Sequence, residues 1–317
     1  MKENFTPLYR RPDKMKKPLL AVAGLNPAWQ KTLSFKQFNP GAVNRAAAIK
    51  EMASGKGINT VRAAINWGKA DATVFQVAGG ANGERLVAYL NEEGLPHQTL
   101  TIPGNTRCCT TVLDRTAHTM TELIEPSAKV PDESVQDLFD MFDRALPDAD
   151  ALALCGTYPP GIPDDFYARL AAAAKKHHSY LFVDAFIGIE KILQNGVDLL
   201  KINLDELTAL TGERDVEKAF RACFNKFKVG ALAVTDGQNP AFISENGKEI
   251  DSLPVPIVEN PVNPIGSGDT CSGVMLSEIV SGTSLREAFR CGLAAASANC
   301  LTEDPATFDC TTAKSFL

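Results

Sequence analysis

The chain is expected to fold as an α/β protein, a doubly wound and mostly parallel sheet carrying a small β-sheet lid. Three observations point there. From residue 131 onward, short apolar runs alternate with amphipathic stretches at the pace of βα units. The strand-like runs give way to polar or glycine residues, Gly156, Asp184, Asn203 and Thr235, and Gly268 follows a later apolar run. Those are the carboxyl ends of strands, outside which ligands bind in such sheets. Two earlier segments of mixed polarity, about residues 28–52 and 97–125, read instead as strands of one half-exposed lid.

Residues 19–25 form an apolar run bounded by lysines and by Asn26-Pro27, which predicts a first buried strand. Residues 31–37 and 42–52 are expected as lid strands, split by the turn signal Asn39-Pro40-Gly41. Ser54-Gly55-Lys56-Gly57-Ile58-Asn59 then leads into a helix with apolar Val61, Ala64 and Ile65. A strand over 73–77, a turn at Gly79-Gly80 and a helix over 83–93 ending at Gly94 follow. Residues 96–101, 107–113 and 118–124 look extended, with a hairpin at Arg115-Thr116-Ala117. The regular part has helices over 134–145, 163–176, 190–194, 204–210 and 216–227. Its strands run over 151–155, 180–183, 199–202 and 231–234. The helix at 163 opens on proline and two aspartates, as helix starts favour. Finally, an apolar, proline-punctuated run over 253–262 precedes Pro264-Ile265-Gly266-Ser267-Gly268-Asp269, and a helix pattern covers 274–280.

Composition sets bounds. The 317 residues are 44% hydrophobic and 22% charged, which suits an ordinary globular α/β protein. A formal charge of −6 argues against a general nucleic-acid binder. No apolar run is long enough to span a membrane. Residues 1–17 are polar, carry Lys14, Lys16 and Lys17, and lack the apolar stretch of a secretory signal. They are expected to be a flexible extension, with one domain over 18–317. The eight cysteines show no Cys-x-x-Cys spacing, and His177 and His178 are adjacent on an expected helix, facing different ways. Reduced thiols and a cytoplasmic setting follow.

Two glycine-flanked turns into helices carry the chemistry. Around Gly266, Ser267, Gly268 and Asp269, a helix start collects backbone N–H groups at one point, where an anion would be held. Asp269 would lie beside that anion and could take a proton from an attacking hydroxyl, as phosphoryl transfer requires. The same stretch also reads as a glycine-rich helix cap, with Asp269 there only for the helix dipole. The second turn carries the cation Lys56 and the amide Asn59, suited to a sugar hydroxyl or phosphate. It reads equally as a surface turn with a solvated lysine. It is neither a Walker A loop nor a Gly-x-Gly-x-x-Gly fingerprint, so a dehydrogenase gains no support.

These motifs, in this order, resemble the PfkB (ribokinase-like) carbohydrate kinases, and most of all the 1-phosphofructokinase and tagatose-6-phosphate kinase branch. The resemblance runs over residues 19–301. Leu25-Asn26-Pro27-Ala28 matches the branch's opening strand end. Ser54 to Asn59 resembles its Gly-Gly-Lys-Gly-Ile-Asn motif, and Gly156-Thr157-Tyr158-Pro159-Pro160-Gly161 its Gly-Ser-Leu-Pro-Pro-Gly. Asn203-Leu204-Asp205-Glu206 fits Asn-x-x-Glu, and Gly266 to Asp269 resembles Gly-Ala-Gly-Asp. The resemblance implies an ATP- and Mg²⁺-dependent kinase of a sugar phosphate such as fructose 1-phosphate or tagatose 6-phosphate. Asp269 would be the general base, and the backbone of Gly266, Ser267, Gly268 and Asp269 the anion hole. Asn203 and Glu206 would organise Mg²⁺, largely through water. Lys201, Asn203, Thr235 and Gly237 would line the nucleotide. Gly55, Lys56, Asn59, Arg107 and Thr157 would hold the sugar phosphate, with Lys56 and Arg107 supplying the positive charge.

The chain departs from the branch at Gln30, where an aspartate usually orients sugar hydroxyls; Gln30 is uncharged and both donates and accepts. Ser54 replaces a glycine, and Pro240 falls where the nucleotide loop often has one. Two further readings therefore stand beside the first. One is a kinase of the same family for another sugar or a nucleoside, and the other a catalytically silent sugar-phosphate-binding protein. Strand edges in a lid are best paired, and a homodimer through the lid is one way to pair them.

Overall fold

The structure, a computed structural model, describes residues 16–317. The expected extension over 1–17 lies almost wholly outside the described residues. The elements in order are β1 (Leu19–Ala23), β2 (Ala28–Phe35), β3 (Ala48–Ser54), α1 (Lys56–Trp67), β4 (Asp71–Gly79), α2 (Gly80–Glu93), β5 (His97–Ile102), β6 (Cys108–Asp114) and β7 (Thr119–Ile124). Then come α3 (Ser134–Ala145), β8 (Ala151–Cys155), α4 (Phe166–Lys176), β9 (Tyr180–Asp184), α5 (Ile189–Gln194), β10 (Val197–Asn203), α6 (Leu204–Thr211), α7 (Val216–Lys226) and β11 (Val229–Asp236). The chain closes with β12 (Asn239–Ser244), β13 (Asp251–Leu253), α8 (Ser267–Val280), α9 (Leu285–Asn299) and α10 (Cys310–Ser315).

Nine strands make the large sheet, in the order β13-β12-β11-β10-β9-β8-β1-β4-β5. Its seven strands from β5 to β11 pair in parallel, and β12 and β13 add an antiparallel edge. The interior strand β8, Ala-Leu-Ala-Leu-Cys, is buried along its whole length, as a strand covered on both faces must be. Separate apolar clusters pack on the two faces, one holding Leu152, Leu154 and Phe166, the other Ala151, Ala153 and Met275. Strand order reverses around β1, which opens a crevice at the carboxyl ends of β1 and β8. The smaller sheet, β3-β2-β6-β7, is the lid.

The lid corrects one expectation. Its second segment starts at β6, not at residue 97, because β5 pairs in parallel with β4 in the large sheet. A parallel neighbour needs a crossover, and the 14-residue helix α2 supplies it. As an edge strand, β5 is half-exposed, so its sequence has the mixed polarity of a lid strand. The hairpin at 115–117 joins β6 to β7 in antiparallel register, as expected.

Boundaries shift elsewhere. Helix α2 begins at Gly80, so Gly79-Gly80 is its entry rather than a separate turn. Helix α4 begins at Phe166, three residues past Pro163. It ends at Lys176, so His177 and His178 lie beyond it, and His178 takes a left-handed φ of 60°. No element is expected past residue 280, yet α9 and α10 are there. The cap of α9 was legible, since Ser284 accepts from the Glu287 N–H, an S-x-x-E start. All eight cysteines are free thiols. Among the described residues no helix is long and apolar enough to cross a membrane.

Helix α8 is buried almost all round and lies between α1 and α9. Small residues make that possible. A Cβ on Gly273 would stand 2.3 Å from the Thr60 carbonyl oxygen of α1, closer than real Cβ atoms approach. This contact sets the first turn of α8 against the first turn of α1.

Candidate active site

Asp269 sits in that first turn of α8, only 8% exposed. Across from it, Asn59 of α1 donates from Nδ2 to Asp269 Oδ2 at 2.8 Å. Burial pushes the Asp269 carboxyl above the ordinary aspartate range, with Asp184 adding to the push while Lys56, Asn59 and Lys201 oppose it. A base with a raised pKa is better matched to neutral pH.

Asp184, the last residue of β9, is the centre of the charge network. Its Oδ1 accepts from Lys56 Nζ at 2.8 Å, and its Oδ2 accepts from Lys201 Nζ at 3.1 Å and from Ser272 Oγ at 2.5 Å. Burial works against ionising Asp184, but the Lys201 and Lys56 charges and these hydrogen bonds override it and hold the carboxyl well below the usual range. The charge of Asp184 in turn outweighs burial and raises the Lys56 ammonium. Lys56 remains 44% exposed, so its charge also faces the crevice. Lys201 is buried at the end of β10, and a Cβ on Gly268 would lie 3.9 Å from its Nζ. Its ammonium thus lies beneath the α8 N-terminus.

The α8 N-terminus holds fewer donors than expected. Gly266, at φ 78°, caps the helix in the left-handed conformation that glycine tolerates. The Ser267 N–H, however, donates to the Pro264 carbonyl at 3.2 Å. The first-turn N–H groups of Gly268 and Asp269 have no helical acceptor and remain for an anion. The Ser267 hydroxyl donates to the Pro264 carbonyl and accepts from Asn299 Nδ2.

Asn203 and Glu206 form a capping box on α6. Asn203 Oδ1 accepts from the Glu206 N–H at 2.8 Å, and Glu206 Oε2 accepts from the Asn203 N–H at 2.9 Å. Among the described residues, no group of three or more His, Cys, Asp or Glu side chains could hold a metal directly. One Glu206 oxygen is left outside the box, and both residues are solvent-accessible. This donor set fits Mg²⁺ held through water better than a dehydrated ion. Thr235 pairs with Asn203 across β10 and β11, and Gly237 lies in the exposed turn that follows.

On the other side of the crevice, Asn26 gathers the turns. Its Nδ2 donates to Thr157 Oγ1 at 3.0 Å, its Oδ1 accepts from Ser127 Oγ at 2.8 Å, and its carbonyl accepts from Arg107 Nη2 at 2.8 Å. Arg107 therefore lies at the lid base, against the loop after β1. Gly55 caps α1 and packs on Pro27 of that loop. Gln30 lies buried in the lid, where its Nε2 donates to Thr111 Oγ1 at 2.7 Å.

The structure thus brings Lys56, Asn59, Asp269, Lys201 and Gly268 together, with Arg107 and Thr157 around Asn26 and Gln30 above in the lid. Reading the sequence gave Asp184 no role beyond ending a strand and overlooked Ser272. A carboxylate closing the apolar run Tyr-Leu-Phe-Val was one signal for the first. The spacing of Ser272 three residues after Asp269, on the same helical face, was a signal for the second.

The model of the pfkB family carbohydrate kinases matches residues 20–311. The ATP-dependent 6-phosphofructokinase isozyme 2 of Mycobacterium tuberculosis is 26% identical over 301 residues, 93% of this chain and 87% of that protein. Phosphofructokinase-2 from Escherichia coli, solved in complex with substrates and products, superposes with a TM-score of 0.84 at 26% identity, over 94% of this chain and 97% of that one. A possible 1-phosphofructokinase from Thermotoga maritima gives a TM-score of 0.82 over 94% and 97% of the two chains, and at 19% identity it speaks to the fold alone.

Proposed function

The chain belongs to the pfkB family of carbohydrate kinases, and on that premise we propose that it transfers the γ-phosphoryl group of ATP to a hydroxyl of a sugar phosphate, with Asp269 as the general base. The observation that carries this reading is Asp269 itself: a buried carboxylate in the first turn of α8, bonded through Oδ2 to Asn59 and beside Lys56, Asp184 and Lys201. Its other oxygen would accept the proton of the acceptor hydroxyl. The N–H groups of Gly268 and Asp269, above the Lys201 ammonium, would stabilise the charge spread over the transferring phosphoryl. Asn203, Thr235 and Gly237 would receive the nucleotide at the ends of β10 and β11. Asn203 and Glu206 would hold Mg²⁺ through water, and when bound the ion would neutralise charge on the phosphates. Lid closure over the sugar would keep water from competing as acceptor.

Lys56 and Arg107 give the acceptor side positive charge, which favours a phosphorylated sugar of the fructose 1-phosphate or tagatose 6-phosphate type over a neutral one. The matched relatives bear phosphofructokinase names, which supports a ketohexose phosphate. Gln30 keeps the second reading in view, a kinase whose sugar presents different hydroxyls to the lid. The test is ADP release with Mg-ATP across sugar phosphates, free sugars and nucleosides. Turnover is expected on a ketohexose phosphate. Lys56→Met should raise KM for that substrate by about 10–100-fold, the worth of one charge-assisted hydrogen bond. An equal rise for an unphosphorylated sugar would show that Lys56 does not read the phosphate. Stabilisation by a sugar phosphate without any ADP release would favour the silent binding protein.

The proposal extends to assembly and setting. The edge strand β7 is exposed throughout, and Ile49, Met120, Leu123 and Ile124 leave apolar surface on the lid. A second copy of the lid would cover it, giving a homodimer. Sedimentation should then read twice the monomer mass, and Leu123→Lys should return it to one; a single-copy mass for the unaltered chain would remove the dimer. Eight free thiols suit a cytoplasmic kinase.

A further inference from the structure

One turn beyond Asn59, helix α1 carries Arg62, a buried guanidinium outside the substrate and nucleotide contacts described above. It spends its donors on three elements. Nε and Nη2 hold both oxygens of Glu93, the last residue of α2, at 2.5 and 2.9 Å. Nη2 also reaches the carbonyl of Ala53 in lid strand β3 at 3.0 Å. Nη1 donates to Asn59 Oδ1 at 3.1 Å. The Glu93 side chain is itself 27% exposed, on a cavity of about 350 Å³. The contact with Asn59 has a different consequence.

A primary amide can be turned over with little change of shape, exchanging a donor for an acceptor. Turned over, Asn59 would aim its carbonyl at the Asp269 carboxylate. Arg62 has only donors, so it can pair with Asn59 in one orientation alone, the one in which Nδ2 faces Asp269. Ser54 Oγ, 3.3 Å from the same Asn59 oxygen, could serve either orientation because a hydroxyl both donates and accepts.

We infer that Arg62 is a positioning residue for phosphoryl transfer: through the Asn59 amide it fixes which oxygen of Asp269 is held and which is left to face the acceptor hydroxyl. The inference rests on the reading of Asp269 as the base. It adds that the lid is wired to that base, since the guanidinium binding Asn59 also binds Ala53 of β3. A shift of β3 reaches Asp269 through Arg62 and Asn59.

Arg62→Lys in the full-length chain is the test, with Asp269→Asn measured alongside. A lysine can still pair with Glu93, but one ammonium cannot reach Glu93, Ala53 and Asn59 together. Rates are normalised to the folded fraction from circular dichroism, so a loss of stability does not count as a loss of catalysis. The expected result is a fall in kcat of about 10–100-fold, in the range that misalignment of reacting groups brings, with KM for ATP and sugar phosphate unchanged. The acid limb of kcat should also move to higher pH. The charged groups facing Asp269 are Lys56 on α1, Asp184 at the end of β9 and Lys201 on β10, and all three remain in the variant. A movement of the limb therefore reports the Asn59 hydrogen bond. Unchanged kcat and an unmoved limb in Arg62→Lys, with Asp269→Asn inactive, would overturn the positioning role and leave the base standing. Wild-type turnover in Asp269→Asn would overturn both.

Discussion

Replacing Asp269 by asparagine is expected to lower kcat by about 10²–10⁴-fold, the usual worth of a positioned general base, with little change in KM for ATP. The substitution keeps the shape, and its oxygen can still accept from Asn59. It removes only the ability to take a proton. Stability should move the other way. Burial raises the carboxyl pKa in the folded state, so folding favours the protonated form. The contribution of such a group is fully present below the unfolded pKa of about 3.9 and is lost as pH rises through the folded value. Above that folded value the native protein carries a disfavoured buried charge, and there the neutral asparagine should be at least as resistant to urea. In the wild type, kcat should fall on the acid side at a pH above the ordinary aspartate range. Retained turnover in the variant, or an acid limb at or below that range, would refute the base assignment.

The largest stability effect is expected at Asp184. Asparagine there should cost about 3–5 kcal/mol at neutral pH, because removing one partner of a buried ion network strands the others. Lys201 would be left buried without its counter-charge, and Lys56 would lose its strongest partner. The sign against pH is fixed by the depressed pKa. Stability from Asp184 is present above the unfolded value of about 3.9 and is lost as pH falls through the still lower folded value. Urea titrations of both forms should therefore differ most near neutral pH and converge in strong acid. A difference below about 1 kcal/mol at neutral pH would mean that the network is solvated rather than buried.

Much of this protein was legible in one dimension. The period of the apolar runs gave the βα alternation from residue 131 and the carboxyl ends where Asn203 and Thr235 lie. The small-residue helix entry at Gly266 to Asp269 appeared where expected, as did the entry at Gly55 to Asn59. These signals are local, since turn chemistry, caps and periodicity depend on neighbours within one turn or one strand. Strand β5 was less legible. Its half-exposed pattern suits an edge strand of either sheet, and only the crossover through α2 assigns it to the large one.

The sequence by itself determined the doubly wound architecture, the two glycine-flanked helix starts and the choice of Asp269 as the acid-base candidate. Tertiary structure alone decided what surrounds that residue. Asn59 and Asp269 are 210 positions apart, and they meet because Gly273 lets α8 lie against the α1 backbone. Tertiary structure also made Lys201 a buried partner of Asp184, gave the Ser267 N–H to the Pro264 carbonyl and tied Arg62 through Asn59 to Asp269. The physical reason is common to all four. A charge or a donor has no fixed role along the chain; its pKa, exposure and partner are set by groups that folding brings within about 3 Å, and periodicity carries no record of them.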